Sequence, residues 1–392
     1  MTDTLHFSSR LIHTTTVVDH ETGSVNVPVY LSSTFHQKDF DHFGAYDYSR
    51  SGNPTRAALE AAITDLEGGV RGFAFSSGMA AISTAFLLLS SGDHAVVPNN
   101  VYGGTFRILA QVLERFGIAH TFVNMTDLAA IEQAIRPTTK LIYIETPSNP
   151  TLKVSDIAAI AKLAKRYRCL TVVDNTFMTP VFQQPLALGA DLVVHSATKF
   201  LSGHSDVVAG LAVAATDELA DRIYFLQNAM GAVLGVQDSW LLLRGMKTLE
   251  VRVRKAADSA LHVARFLENQ PAVRAVYYPG LKSHAQAELQ ARQATCGGAV
   301  LSFELADKEA ARTFVDHVRL PIFAVSLGAV ESILSYPPAM SHAELSPAEQ
   351  AAAGIGSGLL RLSVGLEDAD DLICDFLAAL DVVGKQATTS AH

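Results

Sequence analysis

His195-Ser196-Ala197-Thr198-Lys199-Phe200-Leu201-Ser202-Gly203-His204 is the stretch around which the chain is organised. Just ahead of it, Asp191-Leu192-Val193-Val194 is short, apolar and β-branched, and reads as a buried strand. Lys199 therefore follows directly on a strand, with hydroxyls at Ser196 and Thr198 beside it and a glycine turn after it. In an open α/β sheet, residues at the carboxyl ends of strands face the crevice where ligands bind. A lysine in such a dry setting loses its proton more easily than a surface lysine, and a neutral amine attacks carbonyls to form a Schiff base. A solvated loop lysine is the plainer alternative.

Outward from this stretch, the chain alternates between strand and helix patterns. Strands are predicted at 73–75, 95–97, 119–123, 141–144, 170–173 and 207–214. Helices are predicted at 55–67, 80–89, 106–116, 127–135 and 157–167. Asn53-Pro54 supplies the start signal of the first helix and Gly68-Gly69 its stop. Alternation of this kind points to an α/β fold with a mostly parallel sheet covered on both faces. From about residue 238 one long helix to 268 is expected, with Gly245 as an interior weakness. Strands at 272–277, 299–305, 322–325 and 359–364 and helices at 309–318 and 367–382 then suggest a smaller α+β unit. The division expected is an arm over 1–54, a first domain over 55–245 and a second over 246–392. An arm without periodicity is unusual inside a compact domain and makes more sense packed on a neighbouring subunit.

The bulk properties exclude several classes. The 392 residues are 49% hydrophobic and 18% charged, enough for two well-filled cores. A net charge of −9 argues against a nucleic-acid partner. Cys169, Cys296 and Cys374 are widely spaced and odd in number, so neither a disulfide framework nor a metal site is indicated. No signal core and no run long enough to cross a membrane is evident, and the expected home is the reducing cytoplasm.

Two further features match the lysine. Ser76-Ser77-Gly78-Met79 opens a helix, where free amides and small residues form either a simple cap or an anion site. Asp174 ends the run Leu170-Thr171-Val172-Val173, where a carboxylate acts as a cap, as an ion-pair partner, or as the holder of a proton on a ring nitrogen. A phosphate cradle, a buried carboxylate and an amine on one sheet edge are together what pyridoxal 5'-phosphate requires. The freed amine then moves protons at a substrate Cα. Tyr102, in Val101-Tyr102-Gly103-Gly104-Thr105, is a candidate to stack on the ring.

These pieces resemble the Cys/Met-metabolism, pyridoxal-phosphate-dependent transsulfuration enzymes, and the likeness spans essentially the whole chain. It is carried by Tyr48-Ser49-Arg50-Ser51-Gly52-Asn53-Pro54-Thr55, Ser76-Ser77-Gly78-Met79-Ala80, Val101-Tyr102-Gly103-Gly104-Thr105, Glu145-Thr146-Pro147-Ser148-Asn149-Pro150, Asp174-Asn175-Thr176, Ser196-Ala197-Thr198-Lys199, Ser326-Leu327-Gly328 and Arg361-Leu362-Ser363-Val364-Gly365. The resemblance implies the fold of pyridoxal-phosphate-dependent transferases (fold type I). It makes Lys199 the Schiff-base lysine, Asp174 the partner of the ring nitrogen, and Tyr102 the stacking and proton-assisting residue. Gly78, Met79, Ser196 and Thr198 would bind the phosphate, and Tyr48 and Arg50 would reach it from a neighbouring subunit. Arg361 would hold the substrate carboxylate, helped by Ser326 and Asn149. A homotetramer of two active-site-sharing dimers is implied as well.

Within that family the reactions differ while the motifs are shared. Methionine γ-lyases carry a cysteine where this chain has Gly104. Many γ-synthases and γ-lyases carry a glutamate where it has Val325. The runs 73–89 and 323–337 are most similar to cystathionine β-lyases of Gram-positive bacteria. The expected activity is cleavage of L-cystathionine to homocysteine, pyruvate and ammonia in methionine biosynthesis, with cysteine desulfhydration beside it. Cystathionine γ-lyase, and γ-synthase or O-acylhomoserine sulfhydrylase chemistry, remain alternatives on the same site. His13, His36, His204 and His342 have no assigned role.

Overall fold

Seven short apolar runs form one sheet in the computed structural model, which describes residues 5–341, 343 and 346–389; His342 lies outside them. The strands are β1 (Arg71–Phe75), β2 (His94–Pro98), β3 (Ala119–Val123), β4 (Thr139–Glu145), β5 (Leu170–Asp174), β6 (Leu192–Ser196) and β7 (Gly210–Ala214). Their spatial order is β1-β7-β6-β5-β4-β2-β3, and β7 alone runs against the others. Val172, Val173, Val193 and Val194 are all fully buried, because helices cover both faces. One face packs with Phe73, Phe75, Ile82 and Phe86, and the other with Ile157, Ile160 and Ile131. Each such side chain contributes about 1.5–3 kcal/mol by leaving water.

A second, five-stranded sheet follows: β8 (Ala275–Tyr277), β9 (Val300–Glu304), β10 (Ile322–Phe323), β11 (Ile333–Ser335) and β12 (Leu359–Ser363), in the order β10-β11-β12-β9-β8. Its core is built round Phe303, Phe314 and Phe376, whose rings stand 5.3–6.4 Å apart. The helix Ala369–Thr389 closes it.

Several helices depart from expectation. The segment predicted as one helix over 238–268 is two, Val236–Met246 and Leu249–Glu268. The segment 106–116 is not a regular α-helix: Gly103–Arg107 is α, Ile108–Val112 a π turn and Leu113–Phe116 a 3-10 turn. The arm is not wholly irregular, since Phe7–Thr14 is helical and buries Leu11 against the helix Pro54–Glu67. Eight residues with one buried side chain carry too weak a period to be seen. The helix Asp217–Met230, capped by Thr216, lies between β7 and the domain junction, where no helix is predicted.

Candidate active site

Three parallel strands end at one edge of the sheet: β4 and β5 finish opposite each other at Glu145 and Asp174, and β6 runs two residues further, to Ser196. Glu145 is opposite Asp174 in the ladder. Above this edge lies a cavity of about 490 Å³. Of the residues singled out from sequence, Gly78, Met79, Tyr102, Asn149, Asp174, Ser196, Thr198, Lys199, Ser326 and Arg361 all line it. Tyr48 and Arg50 do not. Both are exposed on the arm, where the Arg50 guanidinium lies 5.4 Å from the Tyr48 ring and donates to the Asn228 carbonyl at 2.6 Å.

Lys199 Nζ donates to Ser326 Oγ at 2.6 Å. Burial, with the nearby Arg361 guanidinium second, pulls the amine down to about 8. That places a neutral amine within reach at physiological pH. The second sheet supplies the other wall. Arg361, on β12 and only 4% exposed, donates from Nη1 to Asn149 Oδ1 at 2.8 Å and from Nη2 to the Ser326 carbonyl at 2.7 Å. Its Nε is buried without a partner. Burial lowers Arg361 to about 10, so it stays charged at neutral pH. Ser326 holds a left-handed φ of 86°, uncommon for a side chain with Cβ and frequent at sites whose surroundings dictate it. Gly328 lies against the Lys199 and Phe200 backbone, where a Cβ would come within 2.6 Å of the Phe200 amide nitrogen.

The helix Gly78–Phe86 points its first turn into the cavity. Ser77 Oγ caps it by accepting from the Ala80 amide at 3.1 Å. The Gly78 and Met79 amides have no acceptor within the helix. Gly78 is tight against β6, since a Cβ there would meet Ser196 at 2.8 Å. An anion seated there meets backbone amides and the Ser196 hydroxyl. The Thr198 hydroxyl donates to the Ala209 carbonyl at 3.2 Å and accepts from the Ala209 amide at 3.0 Å, which fixes the chain leading into β7.

Asp174 is buried, and its carboxylate accepts from the Thr176 amide at 3.0 Å and the Tyr143 hydroxyl at 3.2 Å. Burial raises its carboxyl above the usual range. A protonated ring nitrogen is the kind of partner that offsets such a burial. Gly104 lies against the Tyr102 ring and Met79 Sδ, each 2.6 Å from where a Cβ would stand, so a larger residue there displaces the tyrosine.

Three residues of the site carry no role in the sequence reading. Glu145 accepts from the Tyr102 and Asn149 amides. Tyr143 reaches Asp174 from β4. Arg107 lines the cavity from the turn after Tyr102. Glu145 ends β4 as Asp174 ends β5, so the strand-end signal that singles out Asp174 applies to it equally. Tyr143 and Arg107 depend on approach in space and left no local signal. Among the described residues no group of acidic, histidine and cysteine side chains is placed to hold a metal ion.

A reactive amine, a strand-end carboxylate that favours a cationic ring and a helix N-terminus that favours a phosphate meet the needs of pyridoxal 5'-phosphate. With the layered, mostly parallel sheet they place the chain among the fold type I pyridoxal-phosphate enzymes. More closely, a family model described as Cys/Met metabolism PLP-dependent enzyme matches residues 8–381, and the chain belongs to that family. It is 62% identical over 372 residues to the cystathionine beta-lyase MetC of Bacillus subtilis (strain 168), covering 95% of each chain. It is 50% identical over 371 residues to the cystathionine gamma-lyase of the same organism, covering 95% of this chain and 98% of the relative. The crystal structure of cystathionine gamma-lyase from Lactobacillus plantarum complexed with L-serine matches at a TM-score of 0.95 and 47% identity, covering 97% of this chain and 100% of that one.

Proposed function

We propose that this enzyme is a carbon–sulfur lyase that splits L-cystathionine and water into homocysteine, pyruvate and ammonia. The 62% identity to a cystathionine beta-lyase is the observation that carries this choice of reaction. Pyridoxal phosphate, when bound, supplies an electron-accepting ring that stabilises negative charge at the substrate Cα. The residues of this chain do the rest. Gly78, Met79, Ser196 and Thr198 hold the phosphate, and Asp174 keeps the ring nitrogen protonated. Tyr102 covers the ring face. Arg361, steadied by Asn149 and by the Ser326 carbonyl, grips the substrate carboxylate and so aims the Cα–H bond. Lys199 Nζ, near 8 and within 2.6 Å of Ser326 Oγ, takes the Cα proton and returns it to a leaving or product atom.

Val325 stands at the cavity wall, 66% exposed, and offers no charge to a substrate's distal amino group. Recognition of the distal end therefore falls to other groups, and the Arg107 guanidinium is suited to a distal carboxylate. The arm over 1–54, with Tyr48 and Arg50, completes the phosphate site of a neighbouring subunit in a homotetramer. The domains are 55–245 and 246–392, and the enzyme works in the cytoplasm. Among the described residues no helix is long and apolar enough to cross a membrane.

Product analysis tests the reading. Incubation with L-cystathionine is expected to release pyruvate and homocysteine in equal amounts, with Lys199→Ala abolishing both turnover and the visible absorbance of the bound cofactor. The 50% identity to a gamma-lyase favours a second reading on the same site. Release of 2-oxobutyrate and cysteine without pyruvate would establish it instead.

A further inference from the structure

Glu145 takes no part in the steps just described, yet it sits in the cavity wall, 7% exposed, beside a second buried carboxylate. Burial first, and Asp174 next, push its carboxyl well above the usual range. A carboxylate in this position is costly to the fold, and a neutral side chain of the same size would fill the space at lower cost. What the carboxyl group does that an amide or apolar side chain cannot is present one oxygen to each of two backbone amides. The Tyr102 amide donates to Oε2 at 2.9 Å and the Asn149 amide to Oε1 at 3.3 Å. A glutamine has one carbonyl oxygen and would turn its own N–H groups on the other amide.

The two amides belong to two different loops. Tyr102 leads into the turn Gly103–Arg107, and Asn149 lies four residues beyond β4. Past Asn149 the contacts continue. Asn149 Oδ1 accepts from Arg361 at 2.8 Å, Arg361 donates to the Ser326 carbonyl at 2.7 Å, and Ser326 Oγ accepts from Lys199 Nζ at 2.6 Å. One carboxylate thus stands at the head of a series of hydrogen bonds that runs from the ring-facing tyrosine to the reactive amine.

We infer that Glu145 is a positioning residue: its two oxygens lock the Tyr102 loop and the Asn149 loop to each other, so that ring stacking and carboxylate binding are set together. The inference rests on the assignment of Tyr102 to the cofactor ring and Asn149 to the substrate carboxylate, and deepens it.

The test compares holoenzymes carrying Glu145→Gln, Tyr102→Ala, Asn149→Ala and the Glu145→Gln/Asn149→Ala pair. Cofactor content, visible circular dichroism, kcat and KM for L-cystathionine are measured. Glu145→Gln is expected to keep its cofactor, to change the visible dichroism in the direction of Tyr102→Ala, and to raise KM about tenfold, as leaving one buried amide without its acceptor does. The double variant is expected to raise KM no more than about twofold beyond Asn149→Ala alone, since the two residues act on one contact. Glu145→Asp keeps both oxygens but withdraws them by one methylene, and is expected to raise KM likewise. Wild-type dichroism and KM in both Glu145 variants, whether or not they melt early, would make the residue structural and overturn the inference. If Tyr102→Ala and Asn149→Ala themselves leave dichroism and KM unchanged, the site assignment has failed and the inference falls with it.

Discussion

At the scale of single residues, the site works by taking charge out of water. Lys199 is the clearest case. Its amine titrates at about 8 in the fold, chiefly through burial, against 10.5 in an unfolded chain. Between those values the unfolded chain binds more protons, so the stability of the cofactor-free protein rises with pH across that window. Below pH 8 both states are protonated and the penalty is full, about 3 kcal/mol at most. Lys199→Met is therefore expected to raise the melting temperature of the cofactor-free protein at pH 7, less whatever the lost Ser326 hydrogen bond contributed. The gain should shrink as pH climbs above 8. Thermal melts of wild type and variant from pH 6 to 10 check this, and a gain that does not vary with pH would count against burial as the cause. The same logic made Lys199 and Asp174 legible in sequence: a charged residue ending an apolar strand has to face a ligand or a partner. Glu145 obeys that rule too, at the end of β4.

At the scale of elements, the turn that carries Lys199 is clamped from outside by a helix junction. The predicted helix over 238–268 breaks at Lys247 and Thr248, and the two pieces press on the segment after Lys199. Gly245 lies so close to Ser202 that a Cβ would come within 2.4 Å of its carbonyl oxygen. Arg252, 6% exposed, donates to the carbonyls of Phe200 at 2.9 Å, Gly245 at 2.9 Å and Leu201 at 3.4 Å, and to Thr248 Oγ1 at 3.0 Å. Removing this buried cation takes the donor from the Phe200 and Leu201 carbonyls, whereas the Gly245 carbonyl keeps the Thr248 amide and hydroxyl, both at 3.2 Å. Arg252→Met is expected to lower unfolding stability by about 2 kcal/mol or more, since each of the two unsatisfied buried acceptors costs about 1–3 kcal/mol. Urea unfolding measures it. A loss under about 0.5 kcal/mol would mean that water or neighbouring groups take over the carbonyls. Periodicity registered Gly245 as a weak point but not its cause, because the atom it makes room for lies more than forty residues away in sequence.

At the scale of the whole molecule, the arm carries the most exposed large apolar side chains among the described residues. Leu31, Phe40 and Phe43 are 81%, 97% and 72% exposed, a pattern that marks a contact surface more often than a free loop. Tyr48 and Arg50 lie at the end of that arm and outside their own chain's cavity. If they complete a neighbour's phosphate site, two inactive variants complement each other. Arg50→Ala and Lys199→Ala chains, unfolded together and refolded as a mixture, are expected to recover activity that neither shows alone, because mixed dimers contain one site with both residues intact. No recovery in a mixture whose mixed dimers are detected by mass would place Arg50 in its own subunit's chemistry.

The layered fold, the lysine, the aspartate and the small-residue helix start at Gly78 all follow from local signals. They depend on the period of burial, the residue that ends a strand and the small residues that open a helix, each written within a few neighbours. What the folded chain added is distance across sequence. Arg361 meets Asn149, Arg252 meets the Lys199 turn, and Glu145 joins two loops because strands and helices remote in order are packed side by side. A hydrogen bond depends on position to within a fraction of an ångström, and no local pattern of residues encodes that.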